Sequence, residues 1–239
     1  MISNGLPKTA FVLRMDFKNA IFLLYFYALI CYNSERESQV MILSKMELLD
    51  QLVAAGNGYL RTADVVANGI SKMTLAEYVA KRNMERVAQG VYLSEDGWPD
   101  ALYILHLTNS QIVFSHETAL LLHGLMEREP KQISDTVRAG YNATHLRKKG
   151  VRVYQAKPEF ASLGVTEVRT SFGNPVPAYD MERSICDLLR RKEETDVQVF
   201  QYAMKEYAAS KEKNLNRLMR YARLFRIEAQ MRTYTEVLL

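Results

Sequence analysis

The chain has 239 residues, 48% of them hydrophobic and 24% charged, with a formal net charge of +4. That composition fits one large or two modest globular domains, excludes a disordered or fibrous chain, and permits nucleic-acid binding without demanding it. Its two cysteines, Cys31 and Cys186, are far apart and lack a CxxC spacing, which excludes a disulfide framework or a cysteine zinc finger and points to a reducing cytoplasm.

Residues 1–40 stand apart. The stretch 20–31 (AIFLLYFYALIC) is almost wholly apolar and follows Lys8, Arg14 and Lys18, the outline of a signal peptide. It is shorter than the about 20 residues that span a bilayer. No small-x-small cleavage site follows, and Ile30 before Cys31 argues against a lipoprotein. Three readings stay open: a start placed too early, with Met41 or Met46 as the real one; an added helix packed on the body; or a membrane anchor. The rest of the chain predicts no membrane partner.

From Met41 the pattern becomes regular. Ile42, Leu43, Met46, Leu49, Leu52 and Val53 recur at helical spacing, and Gly56-Asn57-Gly58 stops the helix. Tyr59-Leu60 reads as a short extended link. Thr62 is placed to cap a second helix and Ser71 a third, which runs to about Asn83. On the third helix Met73, Leu75, Ala76 and Val79 are expected inward, and Lys72, Thr74, Glu77, Tyr78, Lys81 and Arg82 outward. Residues 84–93 alternate about a turn at Gln89-Gly90 and read as a β-ribbon. This order predicts a winged helix-turn-helix over residues 41–97, the third helix entering a major groove. Six basic and seven acidic side chains in that stretch make it no basic block. A small protein-binding domain is the competing reading.

Asp96-Gly97-Trp98-Pro99 reads as a turn and a domain boundary. Beyond it the spacing predicts a helix to about Leu107, a strand at 112–114, and a helix from His116 to His123 capped by Ser115. Further strands are predicted at 133–138, 151–155, 165–170 and 176–179, with a polar, basic segment at 142–149. Asp180 is placed to cap a helix over 181–192, and helices over 196–209, 215–226 and 228–239 complete the chain. The expected fold class is α+β: an N-terminal winged helix-turn-helix domain, then a larger mixed α/β domain at 98–239 ending in a helical bundle.

Four stretches carry a family resemblance: Val87-Ala88-Gln89-Gly90-Val91-Tyr92-Leu93; Phe114-Ser115-His116-Glu117-Thr118-Ala119-Leu120 with His123-Gly124-Leu125; Gly173-Asn174-Pro175-Val176 with Tyr179-Asp180 and residues 182–190 (ERSICDLLR); and the tail 214–226 with the terminal helix that holds Arg232, Tyr234 and Glu236. In this order, from about Met41 to the C-terminus, they resemble the AbiEi antitoxins of type IV (AbiE) toxin–antitoxin systems. The resemblance implies a phage-defence antitoxin that represses its own operon at inverted-repeat operator DNA through a winged helix. It also implies a C-terminal domain that counters a nucleotidyltransferase-type toxin without a stable complex.

Candidate chemistry is sparse. His116 and His123, seven residues apart, share a helix face, but no third metal ligand is evident. Asp180 with Arg183 and Asp187 reads as a cap plus an i,i+4 pair, and Cys186 as a small buried hydrophobe. Arg190-Arg191-Lys192 reads as a solvated basic run at a helix C-terminus. There is no Walker loop, GxGxxG, GxSxG or kinase motif set. No catalytic residue, metal or cofactor is therefore assigned. The alternative is a nucleic-acid- or nucleotide-processing enzyme with His116, His123 and the Asp180 helix at its site.

On the regulator reading, Thr62, Ser71 and Thr74 anchor phosphates at helix starts. Lys72, Thr74, Tyr78 and Lys81 face the groove, while Arg82, Arg86 and Gln89 hold the backbone from the ribbon. The tail from Lys211 to Arg232 carries seven basic and two acidic residues. Arg217, Arg220 and Arg223, with Arg147, Lys148 and Lys149, form the expected second basic surface for DNA, a toxin's nucleotide or tRNA, or an acidic protein. A monomer or weak dimer is expected, two copies meeting on an inverted repeat.

Overall fold

The computed structural model describes residues 44–238. The apolar stretch at 20–31 and the readings attached to it lie outside the described residues. Contacts divide the chain into two units, Met1–Leu48 and Leu49–Leu239. Of the first unit only residues 44–48 are described. There Ser44 and Glu47 form a capping box: the Ser44 amide donates to Glu47 Oε2 at 2.7 Å and the Glu47 amide to Ser44 Oγ at 3.2 Å. Helix α1, Lys45–Ala55, starts at this cap.

In the second unit the chain leaves α1 through Asn57 and Gly58, both at positive φ. Strand β1 (Tyr59–Arg61), helices α2 (Thr62–Ala67) and α3 (Lys72–Lys81), and strands β2 (Glu85–Ala88) and β3 (Val91–Leu93) follow. The strands form an antiparallel sheet in the order β1-β3-β2, with a bulge between Arg86 and Ala88. Tyr59-Leu60 is thus more than a link, because Leu60 pairs with Tyr92. Buried Tyr59, Val91 and Leu93 pack on Tyr103, Ile104 and Leu107 of helix α4, Ala101–Thr108. Asp100 caps α4: its side chain accepts from the amides of Leu102 and Tyr103, both at 3.1 Å.

A five-stranded sheet follows. Its strands are β4 (Val113–Phe114), β5 (Ser134–Arg138), β6 (Arg152–Ala156), β7 (Val165–Arg169) and β8 (Pro175–Tyr179), in the order β6-β5-β4-β8-β7. Two pairings are parallel, β5 with β6 and β4 with β8. Every strand lies within one residue of its expected bounds. The polar segment expected at 142–149 holds helix α6, Thr144–Lys148, and a further short helix, α7, spans Pro158–Ala161. Helices α5 (His116–Leu122), α8 (Met181–Arg190), α9 (Val197–Ala209), α10 (Leu215–Leu224) and α11 (Glu228–Leu238) complete the described residues. Eleven α-helices and two sheets among the described residues make this a mixed, α+β fold. No described helix is long and apolar enough to cross a membrane.

Besides the cluster around Tyr59, two larger apolar cores lie among the described residues of the second unit. One is built between helices, from Leu120 of α5, Ile185, Leu188 and Leu189 of α8, Phe200 and Met204 of α9, Leu218 of α10 and Met231 of α11. Cys186 is buried there, as its neighbours predicted. The other core joins the larger sheet to α4 and α6 through Phe114, Val137, Val176, Leu105 and Leu146. The turn expected as a domain boundary lies inside this unit, which a polar network crosses. The Asp100 carboxylate also accepts from Thr170 Oγ1 at 2.6 Å and Asn174 Nδ2 at 2.9 Å. Asn174 Oδ1 in turn accepts from Asn57 Nδ2 at 2.8 Å.

Three capping details depart from expectation. Thr62 does not cap α2: Arg61 holds that position without a side-chain capping bond, and the Thr62 amide pairs with the Gly90 carbonyl at 2.8 Å. Ser115 sits at the start of α5, but its hydroxyl is taken by Thr136 at 2.8 Å and by His116 Nδ1 at 3.0 Å rather than by a helix amide. Ser71 and Asp180 do cap, accepting from the amides of Thr74 and Arg183 at 3.1 and 2.8 Å.

Candidate functional site

Helix α3 presents a face different from the expected one. Leu75 and Tyr78 are buried, whereas Met73 is 73% exposed and Ala76, Glu77 and Ala80 lie open beside it. Met73, Ala76, Glu77 and Ala80 follow i, i+3, i+4, i+7 spacing and so make one surface. Tyr78 is withdrawn from it because its hydroxyl donates to Asp50 Oδ1 of α1 at 2.6 Å. Burial, then this bond, pushes the phenol up to about 12, so it remains a donor. Arg82 is partly committed as well, pairing with Asp50 Oδ2 at 2.6 Å.

The other expected contacts are accessible. Ser71, Lys72, Lys81, Arg86 and Gln89 are exposed, and Thr74 is half-buried beside the Ser71 hydroxyl at 3.0 Å. Arg86 Nε reaches the Ala88 carbonyl at 3.4 Å, along the bulged edge of the ribbon. Thr62 is half-buried under Gly90. The structure therefore brings Lys72, Thr74 and Lys81 onto one exposed helix, with Arg86 and Gln89 on the neighbouring ribbon, and removes Tyr78.

The second expected basic surface does not hold as drawn. Arg217 of α10 lies 3.5 Å from Asp180 and 3.4 Å from Glu182, and Arg223 pairs with Glu228 at 3.2 Å. Arg220 alone of the three has no carboxylate partner among the described residues; its guanidinium lies 5.3 Å from the Tyr221 ring. Residues three apart drift about 60° around a helix, so this triplet spirals instead of lining up. Arg147, Lys148 and Lys149 are exposed at and just beyond the end of α6, which packs on β6, whereas α10 packs on α8 and α11.

A different cationic site appears where α8 meets β6. A cleft of about 570 Å³ is walled by His116, Tyr154, Arg183, Asp187, Arg190 and Arg226, among others. Arg183 forms its floor. Its side chain is 3% exposed, donating through Nε to Asp187 Oδ2 at 2.8 Å and through Nη1 to the carbonyls of Phe160 and Leu163 at 3.0 and 3.3 Å. The guanidinium lies 4.4 Å from both the Tyr179 and Phe225 rings. Arg190 shares Asp187 at 3.0 Å, and Arg191, paired with Glu194 at 2.8 Å, lies over the Tyr154 ring at 4.8 Å. The run Arg190-Arg191, expected to be merely solvated, thus lines a concave wall.

His116 adds a strained element. It holds φ 51°, a left-handed conformation that a non-glycine residue adopts at a cost of about 1–3 kcal/mol. Its ring stacks on Tyr154 with centroids 3.6 Å apart. Burial pulls its pKa down to about 4, outweighing the opposing pull of Asp187, so the imidazole is neutral at pH 7. The stretches 114–120 and 182–190 therefore meet here, the first supplying His116 and the second Arg183, Asp187 and Arg190.

Of the groups expected at an enzyme's site, His116 and the Asp180 helix share the cleft, the helix through Arg183, Asp187 and Arg190, while the His123 and Asp180 side chains stand outside it. His123 lies 2.7 Å from the Tyr179 carbonyl through Nε2, Asp180 caps α8, and neither lines the cleft that holds His116. Among the described residues no three His, Cys, Asp or Glu side chains gather to hold a metal ion.

No protein-family model matches the chain, and no curated protein matches it. Among solved structures it is similar to the crystal structure of RV2827C protein from Mycobacterium tuberculosis, at 12% sequence identity and a TM-score of 0.51. The match covers 73% of this chain and 69% of that one. At that identity the likeness is one of fold.

Proposed function

We propose that the protein is a DNA-binding regulator with a winged helix-turn-helix at its N-terminal side, and that it acts as an AbiEi-like antitoxin repressing its own operon. The observation that carries the first part is the element order helix, strand, helix, helix, strand, strand over residues 45–93, with a β1-β3-β2 sheet and an exposed α3. In this reading α3 enters a major groove. Ala76 and Ala80 let the backbone approach, Glu77 accepts from a base edge, and Lys72 and Lys81 hold flanking phosphates. Arg86 and Gln89 lie along the backbone from the ribbon. Tyr78 takes no part, being spent on Asp50.

The antitoxin part rests on the four resemblance stretches and on the meeting of two of them in the α8 cleft. The toxin it answers is of nucleotidyltransferase type, with no stable complex required.

Titration of the full chain against DNA upstream of its own gene, with scrambled DNA as control, tests the proposal. Upstream DNA should bind more tightly, with affinity falling as salt rises. The double change Lys72→Ala, Lys81→Ala should weaken binding to every sequence about tenfold or more and lower the log–log salt slope by about 2. Tyr78→Phe should leave DNA affinity unchanged. Equal binding to scrambled DNA, or indifference to the lysine pair, sinks the proposal.

A further inference from the structure

The geometry points to the α8 cleft as a binding site for a phosphorylated small molecule of nucleotide size, its phosphates on Lys157, Arg183, Arg190 and Arg226 and its organic body against Phe160, Leu224 and Phe225. This site is separate from the α3 surface, so it stands or falls apart from DNA binding.

Charge gives the first argument. Five cationic side chains, Lys157, Arg183, Arg190, Arg191 and Arg226, line the cleft against two carboxylates, Glu159 and Asp187. Asp187 is consumed within the protein, bridging Arg183 and Arg190. Lys157 and Arg226 are exposed and make no ion pair or side-chain hydrogen bond among the described residues. Arg191 is paired with Glu194, which leaves Lys157 and Arg226 unpaired in a lining of five cations to two carboxylates, an excess that favours a multiply charged anion.

Pre-organisation gives the second. Arg183 has Nε and Nη1 fixed by Asp187 and two carbonyls, and its planar group is clamped between two aromatic rings. Its Nη2 makes no hydrogen bond among the described residues, yet it is not one of the fully buried unsatisfied atoms. It is therefore a rigid donor left over on the cleft floor, and a guanidinium held this way suits a phosphate oxygen. A structural arginine with every donor spent would offer nothing.

Size and strain give the third. About 570 Å³ falls in the range of small-molecule sites and far exceeds the need of an inorganic ion. Phe160 and Phe225, with ring centroids 5.4 Å apart, give it an apolar wall, and Gln155 adds an amide at the rim. The strained His116 in the lining is positioned by Ser115 and Tyr154 rather than relaxed, the kind of outlier that gathers at ligand sites.

Calorimetric titration of the full chain with inorganic phosphate, AMP and ATP tests the assignment. ATP should bind with a Kd below about 1 mM, AMP more weakly and phosphate weakest. Lys157→Gln and Arg226→Gln alter exposed side chains and should each weaken ATP about fivefold or more without changing Tm. Arg220→Gln, outside the cleft, should leave ATP binding as it was. Absence of binding by all three probes overturns the assignment, as does equal affinity for phosphate and ATP. So does an Arg220→Gln loss matching that of the cleft variants, or displacement of ATP by an unphosphorylated single-stranded oligonucleotide.

Discussion

Asp135→Asn should make the protein more stable at pH 8 and leave it unchanged near pH 3. Asp135 lies on β5 with both carboxylate oxygens buried and without a hydrogen-bond partner. Alternation along the strand puts it on the same face as Val137, which packs with Leu105 and Leu146. Burial raises its pKa from the ordinary 3.8 to about 7, and the charge of Arg147 offsets only part of this. The sign follows from linkage. An acid whose pKa is higher folded than unfolded holds more protons in the folded state between the two values, so stability falls as pH climbs through that window. Below about 3.8 the carboxyl is protonated in both states and the penalty vanishes; above about 7 it is complete. The penalty is at most about 4 kcal/mol, reduced by whatever relaxation brings water to the site. The amide avoids it at every pH. Thermal melts of both proteins from pH 3 to 8 should diverge on the alkaline side by roughly 10 °C. Parallel curves, or a less stable variant at pH 8, contradict the reading of Asp135 as an unpaired buried acid.

Asp100→Ala should destabilise the protein by about 4 kcal/mol. One carboxylate caps α4 and takes bonds from Thr170 and Asn174, and the Asp100 amide is paired with the Tyr59 hydroxyl at 2.8 Å. Removing it strands two buried donors as well as losing the cap, and unmade buried bonds cost more than made ones contribute. Asp100→Asn keeps a capping oxygen and should recover about half the loss. Urea denaturation of the three proteins checks this. Comparable stability of the alanine variant and the parent would mean that water replaces the whole network.

The strands of the larger sheet are legible because each is short, holds at least one β-branched residue and lies between turn residues, and that signal is local. Which faces they bury is not. β5 is an inner strand with packed side chains on both faces, so alternation could not tell Asp135 from a solvent residue. On α3, Tyr78 looked outward because tyrosine suits either setting; its partner Asp50 lies 28 residues away on α1. Hydrophobicity alone places Met73 inward, yet it is open. The cleft was invisible for a related reason. Arg190 and Arg191 read as the solvated end of a helix, and only the packing of α8 beside β6 and Phe225 makes a wall of them. The tail arginines misled in the opposite direction, since Glu182, which neutralises Arg217, comes from a distant helix.

The burial of Cys186 offers a clock. Burial pushes its thiol well above the ordinary range, and the sulfur lies 3.8 Å from the Leu218 carbonyl inside the helical core. The thiolate is the form that attacks such reagents, so Cys186 should be inert to them in the folded molecule. In a chain with Cys31 replaced by serine, every labelling event would therefore report one passage of the helical core through an open state. At high reagent the labelling rate would read how often the core opens, with no denaturant, heat or attached dye.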